Sequence, residues 1–463
     1  MKYIADACGG ELHGPPGLDV RSLCSDSRKA SAGDFFLAIP GEKFDGHDFL
    51  AEVVRRRVKA VMVERGQMAK VVAAFAGAGE VPHIVVDQVR TALGRWAAEY
   101  RRSFTLAVFA VAGSNGKTTT KELLASVLRQ RFETLWNEAS FNNDLGVPLT
   151  ALRLERKHEA AVFEVGTNHP GELEPLVRIA RPLFGVLTSI GREHLEFFGD
   201  LAGVAREEGS LAEQLPAGGK LFVHAENEWT EAAARRSRAT VVRVGMGEGV
   251  DWRATHLQLD AQGVTFQVET SGSQWGGEYR VNVLGRHQVT NALLALAAGA
   301  EMGLTREELA RGLAQAQPPK MRLQVWELNG VRVLDDAYNA NADSTLAALQ
   351  TLADFPCAGR RIAVLGDLAE LGGHAEAAHR ETGKRAAELK LDLVMAVGGM
   401  AAATAAGART AGLEAVEQFA DAGAAGTELK TRVKPGDVVL LKASRAARLE
   451  RVSEILKGET AKV

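Results

Sequence analysis

The sequence predicts an α/β protein of about three domains, and three observations lead to this fold class. The chain has 463 residues, which at roughly 150 residues per domain corresponds to about three domains. Aromatic residues make up only 6% of the chain and its 48 glycines far outnumber its 13 prolines, a balance that suits an α/β protein better than an all-β one. Short apolar runs also alternate with helical stretches over much of the chain, as they do in parallel sheets.

The amino-terminal region, residues 1–104, is expected to form a mixed α/β domain. Residues 48–64 predict a helix that leads into a strand. Residues 89–102 predict a second helix with a buried face, because their apolar side chains recur at helical spacing. Strands are predicted at residues 34–40, 60–63 and 81–87.

Residues 105–318 are expected to form a central domain with a mostly parallel sheet. It opens at residues 104–130 with an apolar strand, a glycine-containing loop and a helix, and further strand–helix units follow. The alternating runs 252–260 and 264–270 flank an Asp-Ala-Gln-Gly turn and predict a hairpin. A helix is predicted at residues 288–303.

The third domain is expected to span residues 319–463. Pro318-Pro319, followed by Lys320, is the best linker candidate. Beyond it, strands alternate with helical stretches, which predicts a doubly wound, Rossmann-like parallel sheet. The predicted strands are residues 331–336, 361–367, 391–398 and 437–443.

Charge and cysteine content exclude several classes of function. The 55 basic and 58 acidic residues give a net charge of −3, so we expect no nucleic-acid partner and no attraction to an anionic membrane. Cys8, Cys24 and Cys357 are too scattered for a disulfide framework or a metal site. The amino-terminal segment lacks the apolar core of a signal peptide, and no stretch reaches the ~20 apolar residues that span a bilayer. A cytoplasmic protein without a membrane span is expected.

The strongest local motif is a glycine loop between an apolar strand and a helix that begins near Lys117. Gly113 and Gly116 allow backbone N–H groups to face an anion, and the helix amino terminus adds its positive dipole. Lys117 can reach the β- and γ-phosphates, and the Thr118 hydroxyl can bind Mg²⁺. Because Val111 stands where the strict motif has a glycine, a simple glycine-rich turn is the alternative to the predicted ATP or GTP site. The loop residues are Gly113, Ser114, Asn115, Gly116, Lys117, Thr118 and Thr119.

Two residues that follow apolar strands are candidates for holding magnesium. Glu164 follows four apolar residues, where an ionised carboxylate needs a cation to pair with it. A salt bridge at the strand end is the alternative. His194 lies in a polar turn with Gly191, Glu193 and Glu196, which favours a site, although a lone histidine is usually structural.

Several motifs together resemble the Mur ligase family over nearly the whole chain. GSNGKTTT resembles that family's ATP loop, EVGTNHPGEL (164–173) its acidic magnesium motif, and TSIGREHLEFFG (188–199) the segment whose histidine contacts a second magnesium. The other matching segments are SFNNDLGVP (140–148), GRHQVTNALLALA (285–297), LDDAYNANADS (334–344), GDLAELG (366–372) and SDSRKASAGDFFLAIPGEKFDGHDF (25–49).

The resemblance implies an ATP- and Mg²⁺-dependent ligase that works through an acyl phosphate. Tyr338, where most members carry a histidine, is characteristic of the member that adds D-alanyl-D-alanine to a UDP-muramoyl-tripeptide, and segments 366–372 and 25–49 favour the same member. An amino-terminal UDP-binding domain, a central P-loop ATPase domain and a carboxy-terminal domain for the dipeptide are therefore implied. The resemblance names no general base, and we expect a monomer.

The resemblance also implies roles for individual residues. Lys117, Glu164 and His194 would be catalytic, and Thr118, Glu164, His194 and Glu208 would hold magnesium. Besides the loop, the ATP contacts would be Asn291, Arg322, Asp336 and Asn339. The UDP-substrate contacts would be Ser27, Arg28, Lys43, His47, Asn142 and Asn143. The dipeptide contacts would be Tyr338 with Ser444 and Arg445, which we expect at the start of the last helix, where a helix cap explains Ser444 equally well.

The sequence departs from the family pattern at two positions. Ala342 replaces the usual proline, which affects loop stiffness. Glu208 stands where many members carry a carbamoylated lysine, and because a glutamate already carries a carboxylate, it can do the same work without CO₂ chemistry. That placement is ungapped and sensitive to a slip of one or two residues.

Three other functions are weighed against this one. The preceding ligase, which adds the third amino acid, typically carries an Asp-Asn-Pro-Arg-type signature that the sequence lacks. A folate polyglutamate ligase is disfavoured by the long first domain. A P-loop ATPase or switch protein, from a different class, predicts ATP turnover without any amine acceptor.

Overall fold

The computed structural model describes residues 1–20, 22–41, 43–77 and 79–458. The described strands form a five-stranded, a nine-stranded and a six-stranded sheet, in that order along the chain. This confirms the predicted α/β class with three domains and mostly parallel sheets. By their contacts these residues group into two compact units, and the nine- and six-stranded sheets lie in the same unit.

The first unit contains the five-stranded sheet, in the order β1-β5-β4-β3-β2, with β1 antiparallel to β5 and the other neighbours parallel. The amphipathic helix predicted at residues 89–102 is confirmed with the same bounds. The elements are α1 (Lys2–Cys8), β1 (Glu11–His13), β2 (Leu23–Cys24), β3 (Phe35–Leu37), α2 (Leu50–Arg55), β4 (Ala60–Glu64), α3 (Met68–Phe75), β5 (His83–Val86) and α4 (Val89–Arg102).

Two elements in this region are shorter than predicted. The helix predicted within residues 48–64 is only α2, because Arg57 adopts the left-handed backbone conformation (φ 60°) and turns the chain into β4. The strand predicted at 34–40 shortens to β3. The short helices α1 and α3 were not predicted, since each is too short to show a clear helical period.

The central domain is built on the nine-stranded sheet, in the order β14-β13-β12-β11-β10-β9-β6-β8-β7, with β12 to β14 antiparallel. The predicted hairpin is confirmed as β12 and β13. The elements are β6 (Ala107–Ala112), α5 (Lys117–Leu128), β7 (Thr134–Trp136), α6 (Gly146–Ala151), β8 (Ala160–Glu164), α7 (Leu173–Ala180), β9 (Phe184–Leu187), α8 (Leu195–Phe198), α9 (Leu201–Glu208), α10 (Ser210–Gln214), β10 (Lys220–His224), α11 (Glu228–Ala234), β11 (Thr240–Gly245), β12 (Trp252–Leu259), β13 (Val264–Thr270), β14 (Gly277–Val281), α12 (His287–Glu301) and α13 (Arg306–Gln315).

One segment between β7 and β8 packs with the first unit. Contacts place Phe141–Arg156, together with Arg178–Arg181, in the same compact unit as Met1–Thr105. The apolar side chains of this segment pack on the core of α1, α4 and the five-stranded sheet; they are Leu145, Leu149 and Leu152. The first unit is therefore discontinuous in sequence.

The position of helix α5 is fixed by close packing against α12. A Cβ atom at Gly299 in α12 would lie 2.5 Å from Cγ1 of Val127 in α5, so the two helices approach to a distance that only glycine allows. The neighbouring Leu123, Leu124 and Leu293 are fully buried. Burial of each such side chain stabilises the fold by about 1.5–3 kcal/mol, and this packing holds the amino terminus of α5 in place.

The carboxy-terminal domain is built on the six-stranded sheet, in the order β15-β16-β20-β17-β18-β19. The four predicted strands, β16, β17, β18 and β20, are parallel as expected, and the edge strand β15, which was not predicted, runs antiparallel to β16. The elements are β15 (Gln324–Leu328), β16 (Val331–Asp336), α14 (Ala342–Asp354), β17 (Arg361–Leu365), α15 (Ala375–Glu388), β18 (Leu393–Val397), α16 (Ala401–Thr410), β19 (Val416–Phe419), α17 (Ala422–Arg432), β20 (Val438–Lys442) and α18 (Glu450–Lys457).

The antiparallel edge has a local cause. Asn329 and Gly330, at φ 51° and 77°, form a two-residue turn between β15 and β16. Asn-Gly is a strong hairpin signal because both residues tolerate positive φ. Within the part of the chain that the structure describes, none of the helices has the length and apolar character needed to cross a membrane.

Candidate active site

The glycine loop lies between β6 and α5 and has a conformation that only glycine accommodates at two positions. Gly113 has φ 119°, and a Cβ atom there would lie 2.5 Å from the Thr188 hydroxyl. Gly116 has φ 88° and precedes the first residue of α5, and a Cβ atom there would lie 2.5 Å from Oδ1 of Asn291. Asn291 is thereby placed directly against the loop.

The glycine loop is hydrogen-bonded to the turn that follows the neighbouring strand β9. The Ser114 N–H donates to the Ser189 carbonyl (2.6 Å), and the Asn115 N–H donates to the Ser189 hydroxyl (3.2 Å). The Ser114 hydroxyl in turn accepts from the Gly191 N–H (2.9 Å). Thr119, in the first turn of α5, is buried. The carboxyl ends of β6 and β9 thus meet where a phosphate group would bind.

Lys117 is surrounded by carboxylates. Its ammonium donates to the Gly113 carbonyl and lies 3.5 Å from Oε2 of Glu193 and 3.9 Å from Oε1 of Glu208. Although burial disfavours the charge, the nearby carboxylates of Glu193, Glu208 and Glu164 raise the pKa of Lys117. The lysine is therefore cationic and within reach of the loop.

Glu208 contacts the glycine loop itself. Its side chain is fully buried at the end of α9, and its Oε2 accepts a hydrogen bond from the Gly113 N–H (2.6 Å). Burial, together with the neighbouring Glu193 carboxylate, raises the pKa of Glu208 despite the opposing charge of Lys117. The Glu208 side chain therefore accepts from the Gly113 N–H, and N–H groups in such loops are the kind that bind phosphate oxygens.

Thr118 and Glu164 meet on the other side of the loop. The Thr118 hydroxyl donates to Oε1 of Glu164 (3.1 Å), and both side chains are buried. The side-chain oxygen of Asn137 accepts from the Glu164 N–H (2.6 Å), and its side-chain nitrogen donates to the Glu164 carbonyl (3.2 Å). Lys121, fully buried one turn beyond Lys117, lies 3.8 Å from Oε2 of Glu164 and donates to the carbonyl of Asn137.

The predicted magnesium ligands and their neighbours lie in two groups. No set of three or more His, Cys, Asp or Glu side chains among the described residues forms a ready metal cage. Thr118 and Glu164 form one pair. In the other group, Glu193 Oε1 and Glu208 Oε1 are buried and accept no hydrogen bond from an N–H or hydroxyl group of the described residues. A cation, or a proton shared between the two carboxyl groups, would satisfy both atoms. These oxygen donors fit Mg²⁺, which takes few protein ligands and completes its shell with phosphate and water.

His194 is turned toward the carboxy-terminal domain. Its Nδ1 atom is hydrogen-bonded to the carboxylate of Glu370, and its Nε2 atom lies 4.0 Å from Oε2 of Glu193. The residue has φ 48°, a left-handed conformation that is uncommon outside glycine. Its remaining nitrogen faces the group around Lys117.

The predicted residues of the carboxy-terminal domain gather at the carboxyl edge of its sheet. Asp336 ends β16, and its carboxylate lies 2.6 Å from the Lys442 ammonium at the end of β20. Burial raises the pKa of Asp336, and the charges of Lys442 and Arg322 oppose the shift. The Arg322 guanidinium lies over the ring of Tyr338, 4.5 Å from its centre.

Ser444 and Arg445 do not start the last helix, which corrects the prediction. The chain forms a short 3-10 turn at Arg445–Ala447 before α18 begins. The Ser444 hydroxyl donates to the Ala340 carbonyl (2.9 Å) and accepts from the Ala369 N–H (2.8 Å) instead of capping a helix. The Arg445 N–H donates to Oδ1 of Asn339 (3.2 Å). These contacts join the loop after β20 to the loop after β16.

Besides the His194–Glu370 contact, several other side chains of the carboxy-terminal domain contact the central domain. The Asn341 amide donates to Oδ1 of Asn115 in the glycine loop (2.9 Å). The Tyr338 hydroxyl is hydrogen-bonded to Ser140. Arg192 is paired with Asp343 and Glu381. The loop after β16 therefore lies on the glycine loop itself.

The residues predicted to contact the UDP substrate all lie in the first unit. Arg28 is exposed and paired with Asp26 through two 2.9 Å hydrogen bonds. Ser27 is nearly buried and Lys43 is exposed. The side-chain oxygen of Asn143 accepts from the N–H groups of Leu145 and Gly146 at the start of α6 (3.2 and 3.0 Å), and Asn142 lies next to it.

His47, predicted to contact the UDP substrate, has both ring nitrogens engaged by neighbouring residues. Its side chain is fully buried, its Nδ1 lies 2.6 Å from Asp45, and its Nε2 accepts from the Glu64 N–H (2.9 Å). Although partial burial disfavours the carboxylate, hydrogen bonds from Lys70 and His47 lower the pKa of Asp45 to about 2. Both ring nitrogens are therefore engaged within the first unit.

Sequence reasoning missed several residues of the site. Lys442 ends the apolar run VVLLK, so the argument used for Glu164 at a strand end could have found it. Asn137 and Lys121 lack such a local signal. Arg192 and Asp343 are 151 positions apart, and only the fold brings them together.

The arrangement of β6, glycine loop and α5, with an acid at the end of the adjacent parallel strand β8, defines the class of phosphate-loop α/β proteins. Three family models match the chain: "Mur ligase family, catalytic domain" at residues 19–101, "Mur ligase middle domain" at 111–299 and "Mur ligase, glutamate ligase domain" at 321–445.

Individual relatives resemble the chain over almost its full length. It is 35% identical to UDP-N-acetylmuramoyl-tripeptide–D-alanyl-D-alanine ligase of Escherichia coli (strain K12), across 99% of this chain and 98% of that protein. The crystal structure of MurF from Acinetobacter baumannii has a TM-score of 0.89 at 33% identity, covering 99% and 98% of the two chains. The MurF ligase of Thermotoga maritima, solved in complex with ADP, has a TM-score of 0.81 at 27% identity, covering 95% and 98%. The chain belongs to the Mur ligase family.

Proposed function

We propose that the protein is an ATP-dependent ligase that joins D-alanyl-D-alanine to UDP-N-acetylmuramoyl-tripeptide. The observation that carries this proposal is the hydrogen bond from the Asn341 amide to Asn115 (2.9 Å). Asn341 belongs to the loop that also carries Tyr338, assigned to the dipeptide, and Asn339, assigned to ATP, and Asn115 belongs to the loop assigned to the phosphates. The E. coli relative named for this reaction supports the proposal.

The chemistry explains why an amide ligase needs a phosphate loop. A carboxylate resists attack by an amine because its negative charge makes it a poor electrophile. Transfer of the γ-phosphoryl group of ATP to the terminal carboxylate of the tripeptide forms an acyl phosphate and releases ADP. The neutral amine of D-alanyl-D-alanine then attacks the acyl carbon, inorganic phosphate leaves, and the amine loses a proton.

The residues of the glycine loop would stabilise the transferred phosphoryl group. Backbone N–H groups of the loop and the Lys117 ammonium are positioned to offset its charge. Mg²⁺, held by Thr118 and Glu164 and by the carboxylates of Glu193 and Glu208, would supply further positive charge at the phosphates. His194 would complete this group through its Nε2 atom. Asn291, Arg322, Asp336 and Asn339 are the proposed remaining contacts to ATP.

We assign one substrate to each domain, with boundaries near residues 104 and 319. The first domain would hold the UDP end through Ser27, Arg28 and Lys43, with Asn142 and Asn143 at the edge of the same unit. The dipeptide would bind near Tyr338, Ser444 and Arg445. We propose that the enzyme acts as a monomer in the cytoplasm, where it would contribute to peptidoglycan synthesis and so to cell shape and division.

Phosphate release tests this function. Purified protein is assayed with ATP and Mg²⁺, with and without D-alanyl-D-alanine, crossed with a tripeptide nucleotide that carries either diaminopimelate or lysine. Release that requires both the dipeptide and one of the nucleotides supports the ligase. A requirement for a single amino acid would identify the preceding ligase, and release independent of both substrates would identify an ATPase or switch protein; either result overturns the proposal. Lys117→Met is the inactive control.

A further inference from the structure

The loop GDLAELG, Gly366–Gly372, is a rigid segment at the carboxyl edge of the six-stranded sheet. Each successive residue from Gly366 to Ala369 is hydrogen-bonded to a different part of the domain. The contacts are Gly366 N–H to the Lys442 carbonyl (2.9 Å), the N–H groups of Gly399 and Met400 to the Asp367 carboxylate (2.9 Å each), Leu368 N–H to His379 Nε2 (3.0 Å) and Ala369 N–H to the Ser444 hydroxyl (2.8 Å). The residue that follows is therefore held in a defined position.

That residue, Glu370, reaches out of its own domain. Its carbonyl accepts from the Glu196 N–H (3.0 Å), and its carboxylate is hydrogen-bonded to Nδ1 of His194. Glu370 and His194 both adopt left-handed backbone conformations, with φ 60° and 48°. Such conformations cost on the order of 1 kcal/mol each and persist where surrounding contacts impose them. Two strained residues from different domains thus meet through their side chains.

The contact fixes which nitrogen of His194 faces the phosphate loop. A carboxylate accepts, so Nδ1 carries the proton in this hydrogen bond. Nε2 then points toward Glu193 at 4.0 Å, and Glu193 lies 3.5 Å from Lys117. A carboxylate behind a functional histidine is a common way to fix its tautomer and ring orientation.

We propose that Glu370 is a positioning residue that holds His194 with Nε2 directed at the phosphate-binding group. The orientation of His194 then depends on the carboxy-terminal domain being docked, because the carboxylate comes from that domain. This inference rests on the proposed function for its kinetic consequence. The tautomer of His194 does not depend on that function.

The test compares Glu370→Ala and Glu370→Gln with Glu376→Gln. Glu376 lies on α15 of the same domain and is paired with Arg380 at the surface, so its loss controls for removal of a carboxylate. Proton-coupled ¹⁵N spectra of histidine-labelled protein report the tautomer, and the His194 resonances are assigned by their absence in His194→Gln. Steady-state kinetics give kcat and KM for ATP, nucleotide and dipeptide, and thermal midpoints check the fold.

The expected result has two parts. Wild type and Glu376→Gln show His194 protonated at Nδ1, whereas Glu370→Ala populates the Nε2–H form. In Glu370→Ala, kcat falls about 10- to 100-fold with KM for ATP little changed, and Glu370→Gln, whose side-chain oxygen still accepts, recovers both the tautomer and part of kcat.

Two results would overturn the inference. One is a wild-type His194 protonated at Nε2, which needs no variant to be observed. The other is a folded Glu370→Ala with wild-type tautomer and kcat. If wild type released no phosphate in the presence of both substrates, the proposed function would fail, while the tautomer would still decide the role of Glu370.

Discussion

The carboxylate of Asp343 accepts hydrogen bonds from both the backbone N–H (2.7 Å) and the Nε atom (2.8 Å) of Arg192. The same arginine is paired with Glu381. Arg192 immediately precedes Glu193 and His194, whereas Asp343 lies in the first turn of α14. This ion pair joins the turn that carries two candidate site residues to the helix of the other domain.

The first prediction concerns this pair. A double-mutant cycle with Arg192→Ala and Asp343→Ala should give a coupling energy of about 1 kcal/mol or more, because the contact is bidentate and partly shielded from water. The measurement is the urea midpoint of each variant. The control cycle uses the exposed pair Glu99–Arg102 on α4, where coupling below about 0.5 kcal/mol is expected. Equal coupling in the two cycles would contradict a docking role for Arg192.

The second prediction concerns Gly116. Gly116→Ala adds a Cβ atom 2.5 Å from Asn291 at φ 88°, so we expect ATP affinity to fall at least about tenfold as the loop shifts. Gly249→Ala is the matched control, since Gly249 has φ 78° and its Cβ would meet only open space among the described residues. Calorimetric titration with MgATP measures both. An unchanged affinity in Gly116→Ala would show that the loop does not contact the nucleotide.

A third prediction concerns the carboxylate of Glu208. Its side chain lies on the Gly113 N–H and 3.9 Å from Lys117, in the place that the family resemblance gives to a carbamoylated lysine. Glu208→Ala should lose most ligase activity, while wild type should work equally well with and without bicarbonate. Glu208→Lys should be weak in bicarbonate-free buffer and should recover when bicarbonate is added. Full activity in Glu208→Ala would contradict the prediction that the Glu208 carboxylate takes the place of a carbamoylated lysine.

The fourth prediction is a pH dependence set by His287. Burial, together with the nearby charge of Lys442, lowers the pKa of His287 to about 4. As the pH falls from about 6.5 toward 4, the unfolded chain takes up a proton at this side chain and the folded chain does not, so stability present above this window is lost within it. Between pH 7 and pH 5, the free energy of unfolding of His287→Gln should therefore fall by about 1–2 kcal/mol less than that of wild type. Urea midpoints at the two pH values measure the difference, and identical losses would contradict the assignment.

Local features made parts of the fold predictable from sequence. The bounds of α4 follow from a regular apolar period, and the hairpin of β12 and β13 follows from alternation around Asp260–Gly263. The glycine loop was recognisable because its backbone conformation restricts the residue type at Gly113 and Gly116. In each case the signal lies within a few neighbouring residues.

Features that depend on distant residues were not predictable in this way. The Asn341–Asn115 and Arg192–Asp343 contacts join positions 226 and 151 residues apart, and neither has a local sequence pattern. The burial of His47 was also hidden, because it depends on the Glu64 N–H in a strand further along the chain. Only Lys442 and the Asn329-Gly330 turn carried a local signal that the sequence interpretation did not use.

The discontinuity of the first unit affects how the protein is made. Its apolar face is completed by Leu145, Leu149 and Leu152, and Arg178–Arg181 further along the chain belong to the same unit. Residue 181 must therefore emerge from the ribosome before this unit can close, by which time β6, β7 and β8 have also emerged. A fragment that stops at residue 105 would expose that apolar face to water, so the first unit is poorly suited to expression on its own.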